Sequence, residues 1–354
     1  NFSDYMSTSE HKGSTILFSQ SLNNYFSFHE DVLFFSDNKS LVIAAINTAS
    51  NPNITLFSDS LFSHCYNTID KSSDINLMIN YNRLFKFGNT LLDSLCFPHN
   101  FSDWACTDIK LNENSILSFG LGKINKKTNN FLDIFHGQQA QELNILNILP
   151  DYTTQLLAIS FDNPNKLYTR KNQLLKTQKK YQKWEKSIKL MQDSLNIYYD
   201  EFIDQIATEA GKFNISADLD AQNTYTYFNT KNPVLAMSFL QDMITSSYEY
   251  KGFRIHQIID KEITSNLFGN IFRENSPFFT IVNNYFIFGD SKEAIQIIIE
   301  KYMSNDVLIN SLSFQKIESN FSNKANLYFY LNPGIVIDKI LNKATVDSIG
   351  DPEV

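Results

Sequence analysis

The sequence predicts an α+β protein: a duplicated unit of antiparallel sheet packed with helices, with one long helix in the middle of the chain. Three observations predict it. Phe 30 and Tyr 17 stand against Gly 11 and Pro 8, a balance that suits many strands joined by Asn, Ser and Asp turns. A stretch near the start aligns with one near the end. Between them, from about Leu174 to Lys212, runs a proline-free segment with helical spacing of its apolar residues.

Val32 to Ile46 (VLFFSDNKSLVIAAI) faces Tyr285 to Ile299 (YFIFGDSKEAIQIII). Each is an aromatic strand, a turn on Asp37 or Asp290, and an amphipathic helix for which the Asp is the expected N-cap. Upstream, Ser21 to Phe35 faces Glu274 to Phe288 as a hairpin. Downstream, Asp59-Ser60-Leu61 faces Asn310-Ser311-Leu312, and Asp74 to Leu84 faces Lys324 to Gly334. Residues 15–93 and 268–343 therefore read as two copies of one unit. The domain division expected from this is 1–220 for a first repeat unit lacking its start, and 221–354 for a second, incomplete one. With no Met at position 1, the chain reads as a processed or trimmed fragment.

A smaller signature recurs. A strand of alternating apolar residues ends in Asn-Pro and passes into a helix at Leu156 to Pro164, Thr224 to Pro233 and Asn326 to Pro333, with Asn76 to Arg83 as a variant lacking the proline. Asn caps the helix, and Pro at its first position gives up an amide that had no partner. Trp104 to Gly122 reads as two strands joined by the turn Asn112-Glu113-Asn114, with Gly120 and Gly122 taken as a hairpin bend. A helix is expected around Asn130 to Gln138.

The long helix, 174–212, is basic first (Lys176, Lys179, Lys180, Lys183, Lys186, Lys189) and acidic later (Asp193, Asp200, Glu201, Asp204, Glu209). That order opposes the helix dipole. Packing through Trp184, Ile188, Met191, Leu195, Phe202 and Ile206 is expected to hold it. The lysines offer a solvated face, or a peripheral contact with acidic lipid headgroups.

Bulk composition bounds the function. Hydrophobic content of 43% is that of a folded chain. A net charge of −8 argues against a nucleic-acid binder, which needs a basic surface. Cys65, Cys96 and Cys106 are too few for a disulfide framework; three free thiols, or one bridge and a spare thiol, remain the two readings. There is no G-x-S-x-G elbow and no phosphate loop. The closest approach to a metal half-site is Cys96-x-x-His99, with Cys106 and His64-Cys65 further off, short of a closed tetrahedral set. Asp218 and Asp220 alternate with apolar residues and lack calcium-loop spacing. No catalytic, cofactor-binding or metal-binding residue is therefore assigned, and no cofactor is expected.

Four Asp-Ser-Leu/Ile tripeptides, at Asp59, Asp93, Asp193 and Asp347, are similar to an O-glycosylation acceptor of exported Bacteroidetes proteins. More broadly, Asp103 to Gly120, Phe131 to Gln139, Ile148 to Pro150 and Tyr285 to Ile295 resemble a family of uncharacterised Bacteroidetes cell-envelope proteins built on a domain of unknown function. The resemblance implies an exported, periplasmic or outer-membrane-associated protein, often a lipoprotein, with no established activity. The expectation is a non-enzymatic binding or scaffolding protein whose partner is another envelope protein or a surface glycan. The alternative is an envelope-polymer hydrolase or metal-dependent enzyme with a site between the repeats, drawing on His64, Cys96, His99 and Cys106.

Overall fold

The computed structural model describes residues 6–51, 53, 55–84, 101–112, 115–124, 130–177, 181–195, 199–215, 223–318 and 322–332. The chain folds as α+β, with every strand pair antiparallel. It divides into a smaller compact unit, residues 1–84 with 102–125, and a larger one, 85–101 with 126–354.

The smaller unit opens with four strands in sequential order, β1 (Met6–His11), β2 (Ser14–Ser19), β3 (Asn24–His29) and β4 (Val32–Ser36), followed by helix α1 (Lys39–Ala49). Alternation decides which face is buried. Ile16, Tyr25 and Phe34 pack on Val42 and Ile46 of α1. The neighbours on the other face, Leu17, Phe26, Phe28, Leu33 and Phe35, lie in register opposite one another. A 3₁₀ turn at Leu56–Ser58, α2 (Ser60–Tyr66), β5 (Ile75–Asn80) and α3 (Tyr81–Leu84) follow. A second sheet, β5-β6-β7, is completed by the hairpin of β6 (Trp104–Asn112) and β7 (Ser115–Lys123).

That hairpin lies where the sequence predicts it, but Gly120 and Gly122 do not bend it. They sit inside β7, opposite Thr107 and Ala105. A side chain at Gly120 would come within 2.4 Å of the Cys106 carbonyl oxygen, so glycine serves close packing there.

The larger unit is an eight-stranded sheet in the order β11-β12-β13-β14-β10-β9-β8-β15. Its strands are β8 (Thr153–Ser160), β9 (Ile206–Ile215), β10 (Asn223–Thr230), β11 (Ile244–Tyr250), β12 (Phe253–Ile258), β13 (Phe278–Val282), β14 (Tyr285–Gly289) and β15 (Leu327–Leu331). Its helices are α4 (Pro164–Thr177), α5 (Tyr181–Leu195), α6 (Tyr199–Ile203), α7 (Pro233–Leu240), α8 (Ile263–Phe268), α9 (Lys292–Ser304) and α10 (Leu312–Glu318). Both faces of the sheet are covered. Leu157 and Ile159 of β8 join the apolar core under α4 to α8. Their neighbours Leu156 and Ala158 join a second core under α9, α10 and the 3₁₀ turn Ile145–Asn147. Burial on both sides explains why β8 is buried along its whole length and lacks the simple alternation of a one-sided strand.

The long helix of 174–212 is not formed. The segment holds the end of α4, then α5 and α6, and from Ile206 onward it is strand β9. Gly211 is one reason: a side chain there would strike the Leu157 carbonyl at 2.6 Å and the Tyr227 ring at 2.7 Å, so this backbone fits against β8 and β10 only as a bare strand. The division also removes the dipole conflict. Lys176 lies in the last turn of α4, and Asp200 and Glu201 in the first turn of α6, each where the dipole favours its charge. Ile206 belongs to the strand, while Trp184, Ile188 and Phe202 do pack in the core; the side chains of Met191 and Leu195 lie outside the described residues. Over 130–138 the helix is a short 3₁₀ turn, Phe131–Phe135.

Helix starts are mostly as read. Asn163 Oδ1 accepts from the Lys166 amide (2.9 Å), and Asn232 Oδ1 from those of Val234 (3.0 Å) and Leu235 (3.1 Å). Asp59 caps α2. For α1 and α9 the cap falls one residue later than expected. Asn38 and Ser291 cap, while Asp37 and Asp290 accept from the hydroxyls of Ser36 and Ser291. The boundary expected at 220/221 separates β9 from β10, which are paired neighbours of one sheet. A domain cut there would break the ladder, and the compact units divide elsewhere.

Candidate functional site

Of the residues considered for chemistry, Cys96, His99, Asp218 and Asp220 lie outside the described residues. His64 and Cys65 are on α2, and Cys106 is on β6. Cys65 and Cys106 are both buried, in one apolar cluster with Phe62 and Trp104. Among the described residues, no group of three His, Cys, Asp or Glu side chains is placed to hold a metal ion. Of the basic run, Lys176, Lys186 and Lys189 are exposed, with the Lys176 ammonium 4.5 Å from the Tyr181 ring centroid. No helix among the described residues is long and apolar enough to cross a membrane.

Sequence reasoning missed two buried polar clusters in the larger unit. In the first, Glu209 of β9 is fully buried. Its carboxylate accepts from the amides of Asn144 and Ile145, each at 3.0 Å, and from the Tyr285 hydroxyl. The Tyr227 hydroxyl is buried nearby and has no hydrogen-bond partner among the described residues. Burial pushes the Glu209 carboxyl up to about 7, against the lowering effect of its three donors. The carboxylate thereby fixes the 3₁₀ turn Ile145–Asn147 on the sheet. It is closed to any substrate.

In the second, Lys171 of α4 is buried and donates to the Asn266 carbonyl (2.7 Å), its ammonium 4.2 Å from the Tyr168 ring centroid and 4.3 Å from that of Trp184. Asn266 in turn donates to Asp260, which also receives the Tyr199 hydroxyl. Burial holds the Lys171 ammonium well below its ordinary 10.5, with Asp200 opposing. The folded state therefore refuses a proton that the unfolded chain binds below 10.5, so this group favours folding less as pH falls from there. A Lys171→Met variant, which keeps the packing volume and loses the titration, is expected to gain stability relative to the native chain as pH falls. Denaturant melts at several pH values measure this; a difference that does not vary with pH would refute the placement.

Two concave surfaces among the described residues are open. One is a groove of about 410 Å³ lined by Met237, Gln241, Ser247, Arg254 and His256. There His256 Nδ1 shares a 2.8 Å hydrogen bond with Ser247 Oγ, its register partner across β11 and β12, and the ring stacks on Phe279. Burial, then Arg254, lowers the imidazole's pKa, so the pair is neutral at pH 7. Among the described hydrogen bonds, no carboxylate orients that ring, and the pair has the form of a cross-strand contact. The other surface, in the smaller unit, is an apolar hollow of about 310 Å³ along β4 and α1, lined by Leu33, Phe35, Leu41 and Ala45 among others. Among the described residues β4 ends its sheet, and Phe28 and Phe35 are 67% and 70% exposed. A run of alternating aromatics marks these positions in the sequence, but alternation does not tell which face is left uncovered.

Residues 205–353 match a family model described as "Protein of unknown function (DUF3352)". The match begins with β9 and takes in every later strand of the eight-stranded sheet, leaving β8 outside. No curated protein and no solved structure matches the chain.

Proposed function

We propose that this chain, similar over residues 205–353 to a domain family of unknown function, is a non-enzymatic exported protein that binds or scaffolds another envelope protein. Its contact surface in this reading is the open edge of β4 with the apolar outer face of the β1–β4 sheet.

One contrast carries the reading. In the larger unit, β14 has β10 along its edge, and Phe279, Phe286 and Phe288 on that face are fully buried. In the smaller unit, β4 has no strand on its outer edge among the described residues, and Phe28, Leu33 and Phe35 are exposed. The two stretches have the same order of elements: a hairpin, a helix, a 3₁₀ turn, a short helix and a strand. Both are preceded by a hairpin turned on Lys-Gly with positive φ, Lys12-Gly13 and Lys251-Gly252. This supports taking them as copies of one unit, of which the first presents the surface that the second covers with its own chain.

Exposed apolar patches of this kind mark interaction sites, and a free strand edge accepts an extended segment through main-chain hydrogen bonds. An apolar face favours a protein partner over a glycan, which presents hydroxyls needing polar partners. Export follows from the resemblance to envelope proteins. The exposed lysines of α4 and α5 give a subsidiary contact with anionic headgroups.

The test compares the native chain with a Leu33→Lys/Phe35→Lys variant in capture from envelope extracts. The native chain is expected to retain a partner at about tenfold the level of the variant, the effect of losing on the order of 1.4 kcal/mol, with the two melting alike. Equal recovery by both chains, or fractionation of the protein wholly with the cytoplasm, would overturn the reading.

A further inference from the structure

The smaller unit brings two cysteines together across its core. Along α2, Asp59, Phe62 and Cys65 follow at intervals of three, on one helical face. Along β6, Trp104 and Cys106 share one face of the strand. Each helix residue meets a strand residue. Asp59 caps α2 with one carboxylate oxygen and accepts the Trp104 indole N–H with the other, at 2.9 Å. Phe62 meets the Trp104 ring edge-on at 5.0 Å. Beyond them, Cys65 and Cys106 lie together in one buried apolar cluster. Cys65 Sγ also reaches the carbonyl of Leu121, the register partner of Cys106, at 3.6 Å. Both cysteines are buried, at 1% and 2% exposure.

We infer that Cys65 and Cys106 are a disulfide-forming pair, a covalent staple between α2 and the β5-β6-β7 sheet, with Cys96 as the unpaired thiol. The capping contact and the ring contact fix the helix on the strand in two places, so the two cysteines are held in one cluster without help from the bond itself. The smaller unit has good reason to use such a link. Its cores are small satellite clusters, and it exposes large apolar residues, conditions in which small exported domains turn to cross-links.

The oxidant is a small disulfide of the glutathione type. The thiolate of one cysteine attacks a sulfur of the oxidant, whose S–S bond breaks and releases one thiol. The second cysteine's thiolate then attacks the protein-side sulfur of the mixed disulfide and expels the other thiol. Two protein thiols are oxidised, one S–S bond of the oxidant is reduced, and the two protons leave on its thiols. Burial, then Cys65, pushes the Cys106 thiol up to about 12, so the folded, reduced pair is a poor nucleophile, and burial of both residues shields the closed bond from reductant. The bond therefore forms while the unit folds and resists reduction afterwards.

The full chain refolded from denaturant with oxidised glutathione, alkylated and peptide-mapped, tests this. The expected map joins the Cys65 peptide to the Cys106 peptide and shows Cys96 alkylated, with Cys96→Ser giving the same link. Reduction is expected to lower the smaller unit's melting point by roughly 8–16 °C in the native chain and to leave Cys65→Ser and Cys106→Ser unmoved. A link through Cys96, or three alkylated cysteines after refolding, overturns the proposal. If the Cys65 and Cys106 variants do not fold, the maps of the native chain and Cys96→Ser decide.

Discussion

The larger unit is expected to lose about 3 kcal/mol of stability from Glu209 alone as pH rises through neutrality, and Glu209→Gln to abolish that loss. The carboxyl titrates at the ordinary 4.5 in the unfolded chain and at about 7 in the fold. A raised carboxyl favours folding fully below the lower value, where both states hold the proton and no buried charge has to be kept; between the two values only the folded state holds it, so stability falls as pH rises. That contribution is lost as pH climbs through the upper value, and the difference of the two, at 1.36 kcal/mol per unit, sets the figure of about 3 kcal/mol. Asp260, also raised by burial, acts in the same direction, while Lys171 acts in the opposite one. The useful quantity is therefore the native-minus-variant difference, not the native curve. Hydrogen exchange of β9 amides, or melts resolved by unit, at steps between pH 4 and 8 would give it. Parallel curves for the two chains would show that Glu209 is not the buried acid described here. Gln carries a constant penalty, because its amide nitrogen cannot accept from a backbone N–H as the second carboxylate oxygen does. That penalty offsets the curve without tilting it.

Phe228→Ala is expected to cost the larger unit about 3–5 kcal/mol, the range for emptying an aromatic site in a packed core. Phe228 is fully buried on β10, and four rings surround it, Phe286 at 5.3 Å, Phe288 at 5.4 Å, Phe202 at 5.8 Å and Phe268 at 6.1 Å between centroids. They come from β14, α6 and α8, so no single element can close the cavity. Phe35→Ala, by contrast, is expected to fall within about 0.5 kcal/mol, as for an exposed position. Urea melts of both variants would measure the pair. A loss at Phe35 as large as at Phe228 would mean that the β4 face is packed rather than open, and would remove the surface on which the binding proposal stands.

These two phenylalanines show how far the sequence is readable. Each lies in an alternating aromatic strand, and nothing local separates them. What separates them is whether another strand lies alongside, β10 beside β14 and none described beside β4. The same holds for Glu209. It reads as one more acid on an acidic helix, because the feature that buries it, a 3₁₀ turn more than sixty positions earlier, is invisible at local range. A glycine two residues on and the bulky Phe213 and Ile215 were the available hints of a strand. They were outweighed by the helical spacing of Trp184, Ile188 and Phe202, which continues by chance into Ile206. Cys65 and Cys106 were counted without being paired, since spacing alone cannot say that α2 lies on β6. Cys96 and His99 were favoured for chemistry only because they stand close in sequence.

The sequence by itself determined the α+β class, the β6–β7 and β13–β14 hairpins, and the helices started by Asn163-Pro164 and Asn232-Pro233. These rest on interactions within a few residues: alternation, a capping oxygen, a proline that gives up its amide. Only the tertiary structure decided where helix yields to strand after Ile203, why Gly120 and Gly211 must lack side chains, that Glu209 is sealed under Tyr285, and that the cysteines of α2 and β6 share one buried cluster. Each of those outcomes depends on a partner brought in from tens of residues away. Local propensities are weak beside the burial and desolvation that such partners impose.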